Sequence, residues 1–139
     1  MIELFDTSAL ILAARDPTVG RILAEAIAAD EVAVSEPILL EYFNGARNLE
    51  EYGRFDRGLR AARIVRTMAE DWDRALEVHR AVAASGSGHQ RSVRLVDLIV
   101  AAAAERHGLP VVHYDEDYDR IAAVTSQPTR WVAPRGSIS

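Results

Sequence analysis

Apolar and polar positions alternate along the chain in short, well-punctuated blocks. Ile2 to Phe5 is an apolar run ending at Asp6, which predicts a short buried strand. Thr7 or Ser8 can cap a helix running to about Ala14, and Asp16-Pro17 restarts the chain as a cap followed by a first-turn proline. Leu23, Ala26 and Ile27 then keep helical spacing until Asp30. Val32 to Val34 predicts a second strand. Ser35-Glu36-Pro37 opens a helix through Phe43 toward Gly45. From Arg47 to Ala69 the pattern is helical and Arg-rich, broken by Gly53 and Gly58. Asp71 or Asp73 begins an amphipathic helix carrying Ala75, Leu76, Val78 and Val82, which stops at the Ser85–Gly88 loop. Leu95 to His107 is an Ala-rich helix closed by Gly108, with Pro110 beyond it. Val111 to Tyr114 is a strand, Asp117 to Ala123 a short helix, and Arg130 to Val132 a last edge strand.

Strands alternating with helices predict an α/β fold, a three-layer α/β/α sandwich around a short parallel sheet. Right-handed crossovers place every strand's C-terminal end on one edge of such a sheet. The chain shows no internal repeat and no boundary, so a single domain over residues 1–139 is expected.

Against this frame, four carboxylates stand in apolar surroundings. Asp6 ends a strand, Glu41 sits inside ILLEYF, Asp97 inside LVDLIV, and Asp115 follows VVHY, with Asp117 and Asp119 behind it. A partly buried carboxylate must be paired, protonated or bound to a cation. Asp6 and Asp115 fall on the same sheet edge, and the helices carrying Glu41 and Asp97 can lean over it. A hard divalent cation relieves the repulsion within such a cluster, and the combination suits phosphodiester hydrolysis. Each position also has a plainer explanation. Asp6 can be a helix cap, Glu41 an arginine partner or a solvated residue, and Asp97 a first-turn acid favoured by the helix dipole. Asp115, Asp117 and Asp119 can form a solvated turn, the preferred reading for Asp119.

The charge balance fits this chemistry. The net charge is −5, and setting aside Asp6, Glu41, Asp97, Asp115 and Asp117 leaves acidic and basic residues equal in number. Every one of the 16 basic residues is Arg, so enzymes that require a lysine are excluded: P-loop ATPases, Schiff-base enzymes, receiver domains. The chain has no Cys, hence no disulfide, thiolate ligand or thiol nucleophile. The N-terminal apolar run lacks a basic region ahead of it and is interrupted by Asp6. No signal peptide or membrane span is expected, and a cytoplasmic location follows.

FDTSAL, LLEYFNGAR and RLVDLIVAAAAERHGLPVVHYDEDYDRIA, in that order and spacing, resemble PIN-domain ribonucleases of the VapC type, toxins of VapBC toxin–antitoxin pairs. The likeness spans about residues 2–132 and is most specific from Val93 to Ala122. It implies a PIN-like fold in which Asp6, Glu41, Asp97 and Asp115 form the catalytic acidic quartet. Asp6, Asp97, Asp115 and Asp117 would hold one or two Mg²⁺ or Mn²⁺ ions, with Asp117 behind the ligands or an alternate ligand. Thr7 or Ser8 would position water or a ligand carboxylate. The family more often carries Phe at position 118, a departure with no catalytic consequence on this reading. The resemblance further implies a homodimer, an inhibitory VapB-type antitoxin seated in a groove near the acidic site, and RNA substrates such as tRNA or ribosomal RNA.

Arg91 and Arg94, between the Gly/Ser loop and Asp97, are expected near the acidic edge, contacting phosphate or antitoxin acids, or simply pairing at the surface. Arg54, Arg57, Arg60, Arg63 and Arg66 drift around a helix axis and read as solvated surface rather than an RNA track. Tyr42 and Phe43 are expected in the core or a dimer contact. No two of His79, His89, His107 and His113 stand at metal-ligand spacing, which argues against a histidine acid–base nuclease.

Three other readings compete with this one. A haloacid-dehalogenase phosphatase needs an acid where Ser8 stands and a lysine the chain lacks. A structure-specific DNA nuclease shares the acidic logic but normally has a longer chain. A non-catalytic RNA- or protein-binding module is disfavoured because four carboxylates would repel phosphate.

Overall fold

A computed structural model describes residues 1–139. Five strands, β1 (Glu3–Phe5), β2 (Val32–Ser35), β3 (Arg63–Val65), β4 (Val111–His113) and β5 (Thr129–Trp131), form one sheet in the order β3-β2-β1-β4-β5. All four pairings are parallel, with Leu4 opposite Ala33 on one side and Val111 on the other. Three of these strands are apolar because both their faces are covered: Leu4, Phe5, Val32, Ala33, Val34, Val111 and Val112 are all buried.

The crossovers are helical. Helices α1 (Thr7–Arg15) and α2 (Pro17–Ala28) connect β1 to β2, and α3 (Glu36–Asn44) and α4 (Leu49–Gly58) connect β2 to β3. The chain then reverses direction across the sheet. Helices α5 (Ala69–Ser85) and α6 (Leu95–Arg106) lead to β4, and α7 (Asp117–Thr125) to β5. Right-handed connections therefore put α1–α4 on one face and α5–α7 on the other. The expected sandwich is present, and the direction of winding switches between β1 and β4. In open α/β sheets that switch point is where the ends of neighbouring loops part and leave a crevice.

Local chemistry sets the boundaries. The Asp16 carboxylate accepts the Val19 N–H at 3.0 Å and caps α2, with Pro17 as its first residue. Gly108, at φ +64, ends α6 in the left-handed region, where glycine has no Cβ to clash. Gly20 allows α2 to approach α1: a Cβ there would lie 2.8 Å from the Ala13 carbonyl oxygen.

The structure corrects the sequence reading between Arg47 and Ala69. Only Leu49–Gly58 is helical, and Arg63–Val65 is the edge strand β3. Of its three residues only Val65 is buried, so no alternation announced it; its identity comes from pairing with β2. The Arg run is thereby divided between a helix, a turn and a strand. Arg54 pairs with Glu51, Arg63 with Asp30 and Arg66 with Glu36. Helix α5 starts at Ala69, ahead of both Asp71 and Asp73, where the Asp71 carboxylate accepts the Met68 N–H at 2.8 Å. Residues His89–Ser92 add a short 3-10 turn after the Gly/Ser loop. Tyr42 stacks on Phe55 with ring centroids 4.8 Å apart, and Phe43 lies 4.9 Å from Tyr52, so both aromatics join α3 to α4.

Candidate functional site

The acidic residues meet at the switch point. Asp6 follows β1 and caps α1, its Oδ2 accepting the Ser8 N–H at 3.0 Å and the Ser8 hydroxyl at 2.6 Å. The Ser8 Oγ in turn accepts the Tyr114 N–H at 2.9 Å, tying the end of β1 to the end of β4. Asp6 both caps α1 and lies in the acidic cluster, because a helix begun at a strand end puts its capping carboxylate on the sheet edge. Thr7 donates its hydroxyl to Glu41 Oε1 at 2.9 Å, and the other Glu41 oxygen pairs with Arg94. Helices α3 and α6 touch here, which brings Glu41 and Asp97 to one place from opposite faces of the sheet.

Asp97 is the third residue of α6 and is fully buried. Its Oδ2 has no hydrogen-bond partner. Burial pushes its carboxyl up to about 9, with Asp6, Asp117 and Asp115 adding to the rise and Arg94 opposing it. Asp115 is raised for the same first reason, burial. Its Oδ1 accepts the Asp117 N–H at 2.9 Å, and its own N–H donates to His113 Nδ1 at 3.2 Å. Asp117 is buried, accepts the Arg94 N–H at 3.0 Å and pairs with Arg120 at 2.9 Å.

Asp97, Asp115 and Asp117 each present a carboxylate oxygen, and the three lie within 4.8 Å of one another. A hard cation with oxygen ligands fits this set: three carboxylates converge, and one buried oxygen has no proton donor to satisfy it. Asp117 thus stands with Asp97 and Asp115 rather than behind them. Asp6 stands beside the triad, both its oxygens already engaged by protein donors. Asp119 faces outward and accepts the Trp131 indole N–H at 3.2 Å. Arg94 reaches the site, whereas Arg91 is exposed, turned toward Gly88 and without an ion pair to any carboxylate.

Sequence reasoning missed Tyr118. Its hydroxyl donates to Asp6 Oδ1 at 2.6 Å and lies 3.3 Å from Asp97 Oδ1, so the residue at this position is part of the acidic cluster. A signal was present: Tyr118 and Ile121, three apart, mark the inner face of the helix that follows the acidic turn.

The PIN-domain family model matches residues 4–124. The chain belongs to the PIN-domain family. Among curated PIN-domain relatives, it is 41% identical to the ribonuclease VapC18 of Mycobacterium tuberculosis, over 99% of this chain and all of that protein. It is equally identical to the ribonuclease VapC51 of the same organism, over 97% and 96% of the two chains. In solved structures, the PIN fold is matched by VapBC2 from Rickettsia felis bound to a promoter DNA fragment, with a TM-score of 0.75, 16% identity and coverage of 94% and 98%.

Proposed function

We propose that this PIN domain is a metal-dependent endoribonuclease, the toxin component of a type II toxin–antitoxin pair, acting as one nuclease domain over residues 1–139. The observation that carries the reading is the convergence of Asp97, Asp115 and Asp117 around a buried carboxylate oxygen without a partner. The names of the two mycobacterial relatives supply the substrate class, RNA.

Asp97, Asp115 and Asp117 would hold Mg²⁺ or Mn²⁺, with Asp6 available to a second ion. A divalent cation there supplies Lewis acidity, lowering the pKa of water and neutralising charge on the scissile phosphate. The protein's own groups do the rest. Thr7 holds Glu41 in place, so that its carboxylate can accept a proton from the attacking water. Ser8 fixes Asp6. Arg94 pairs with Glu41 at the edge of the acids, and with the unpaired Arg91 it would contact RNA phosphates. Water then attacks in line, leaving 5′-phosphate and 3′-hydroxyl ends, with tRNA or ribosomal RNA as targets in the cytoplasm.

The partner follows from the same reading. An apolar groove between the α1–α2 pair and α4 is lined by Leu10, Ala13, Leu23, Ile27 and Phe55. It continues past Tyr42 to Glu41, giving a VapB-type antitoxin an apolar seat that ends at the acids. A homodimer belongs to the same proposal.

The test is cleavage of total cellular RNA by antitoxin-free protein in Mg²⁺ or Mn²⁺ against EDTA, beside Asp97→Asn. Discrete metal-dependent fragments absent from the variant support the reading. Folded, metal-loaded protein that cuts no RNA overturns it, and cleavage of DNA instead would reassign the substrate.

A further inference from the structure

The Tyr118 hydroxyl occupies an unusual position for a phenol. The side chain is fully buried, yet its oxygen meets two carboxylates of the acidic site. A phenol has one proton, and the 2.6 Å contact shows where it goes: to Asp6 Oδ1. With Ser8 holding Oδ2, that bond completes the fixation of Asp6 at both oxygens. The same hydroxyl oxygen is the only side-chain hydrogen-bonding partner of Asp97, 3.3 Å from its Oδ1, and the other Asp97 oxygen has none.

The ring cannot swing away. The His113 ring packs on it with centroids 5.0 Å apart, and Trp131 backs His113 at the same separation. The Asp115 N–H holds His113 through Nδ1. Three packed aromatic rings thus back the carboxylates, and the polar group they bring to Asp6 and Asp97 is the Tyr118 oxygen. Without it, Asp6 Oδ1 and Asp97 Oδ1 would lose the side-chain partner they share, and each would need reordering before a cation could bind.

We propose that Tyr118 is a positioning residue for the cation site, its hydroxyl bridging Asp6 and Asp97 from the protein interior and fixing their separation before the ion arrives. This rests on the metal-dependent reading above. It assigns to position 118 a part in ion binding that Phe cannot play.

The experiment is titration of the full-length protein with Mn²⁺, the free ion counted by electron paramagnetic resonance, for wild type, Tyr118→Phe and Tyr114→Phe. Tyr114 also has a hydrogen-bonded hydroxyl, but its partner is the Ile138 backbone, so it controls for the loss of a tyrosine oxygen as such. All three are measured well below their melting temperatures, with folding checked by circular dichroism. The expected result is about a 10-fold weaker Mn²⁺ affinity for Tyr118→Phe and an unchanged affinity for Tyr114→Phe. Unchanged or tighter binding by Tyr118→Phe overturns the proposal, as does an equal loss in both variants. If the wild type binds no Mn²⁺, the cation site itself is refuted, and the role of Tyr118 with it.

Discussion

Replacing Asp97 by Asn is expected to stabilise the cation-free protein while abolishing its activity. Asp97 is fully buried, and its carboxyl is pushed up to about 9 by burial and by its acidic neighbours. In the unfolded chain it ionises near the ordinary value of 3.8. Between those two values the folded protein holds a proton that the unfolded chain has released. Stability therefore falls as pH rises through this window, by up to about 1.4 kcal/mol per pH unit. At neutral pH the accumulated cost is about 4 kcal/mol for wild type, and Asn, which does not titrate, avoids it. The assay is thermal unfolding in EDTA across pH. The gap in favour of Asp97→Asn should widen by about 4 kcal/mol from about pH 5 to about pH 8. At this chain length each kcal/mol moves the melting temperature by about 3 °C. Saturating Mn²⁺ should raise the wild type and leave the variant where it was, because the ion binds only the folded carboxylate set. A gap that stays flat with pH, or a variant less stable than wild type at the alkaline end, would refute the reasoning.

Two further expectations concern the scaffold. Arg106 donates to both oxygens of buried Asp71, at 2.8 and 3.0 Å, and joins the ends of α5 and α6. Burial raises the Asp71 carboxyl, but the Arg106 and Met68 hydrogen bonds more than offset this and hold it below the usual range. Arg106→Ala should cost about 3 kcal/mol in urea unfolding at neutral pH. That difference should shrink as acid drives the wild-type carboxyl through its lowered pKa, since the stabilisation exists only while Asp71 is ionised. Gly20→Ala should cost about 1–3 kcal/mol in the same assay, because its Cβ would press on the Ala13 carbonyl and part α1 from α2. An unchanged unfolding midpoint in either variant contradicts the contact on which it rests.

Most of the architecture was legible because its signals are local. Apolar runs closed by an acid gave β1 and β4, a cap-plus-proline pair gave the start of α2, and Pro37 gave that of α3, where Ser35 makes no capping hydrogen bond. The candidate carboxylates were legible for a related reason. An acid inside an apolar segment conflicts with its neighbours, and such a conflict is resolved at a site. The edge strand β3 was hidden because an exposed three-residue strand has no burial pattern of its own.

What the sequence determined by itself is therefore which carboxylates are out of place and which sheet edge Asp6 and Asp115 share. Periodicity and capping are properties of a few consecutive residues, and they survive without knowledge of the rest of the chain. The tertiary structure alone decided that Asp117 joins Asp97 and Asp115, that Arg91 stays outside, and that Tyr118 enters the cluster. Those outcomes depend on how α6 and α7 lean against one sheet from positions about 20 residues apart in sequence. Distances of that kind are set by packing, and no run of neighbouring residues encodes them.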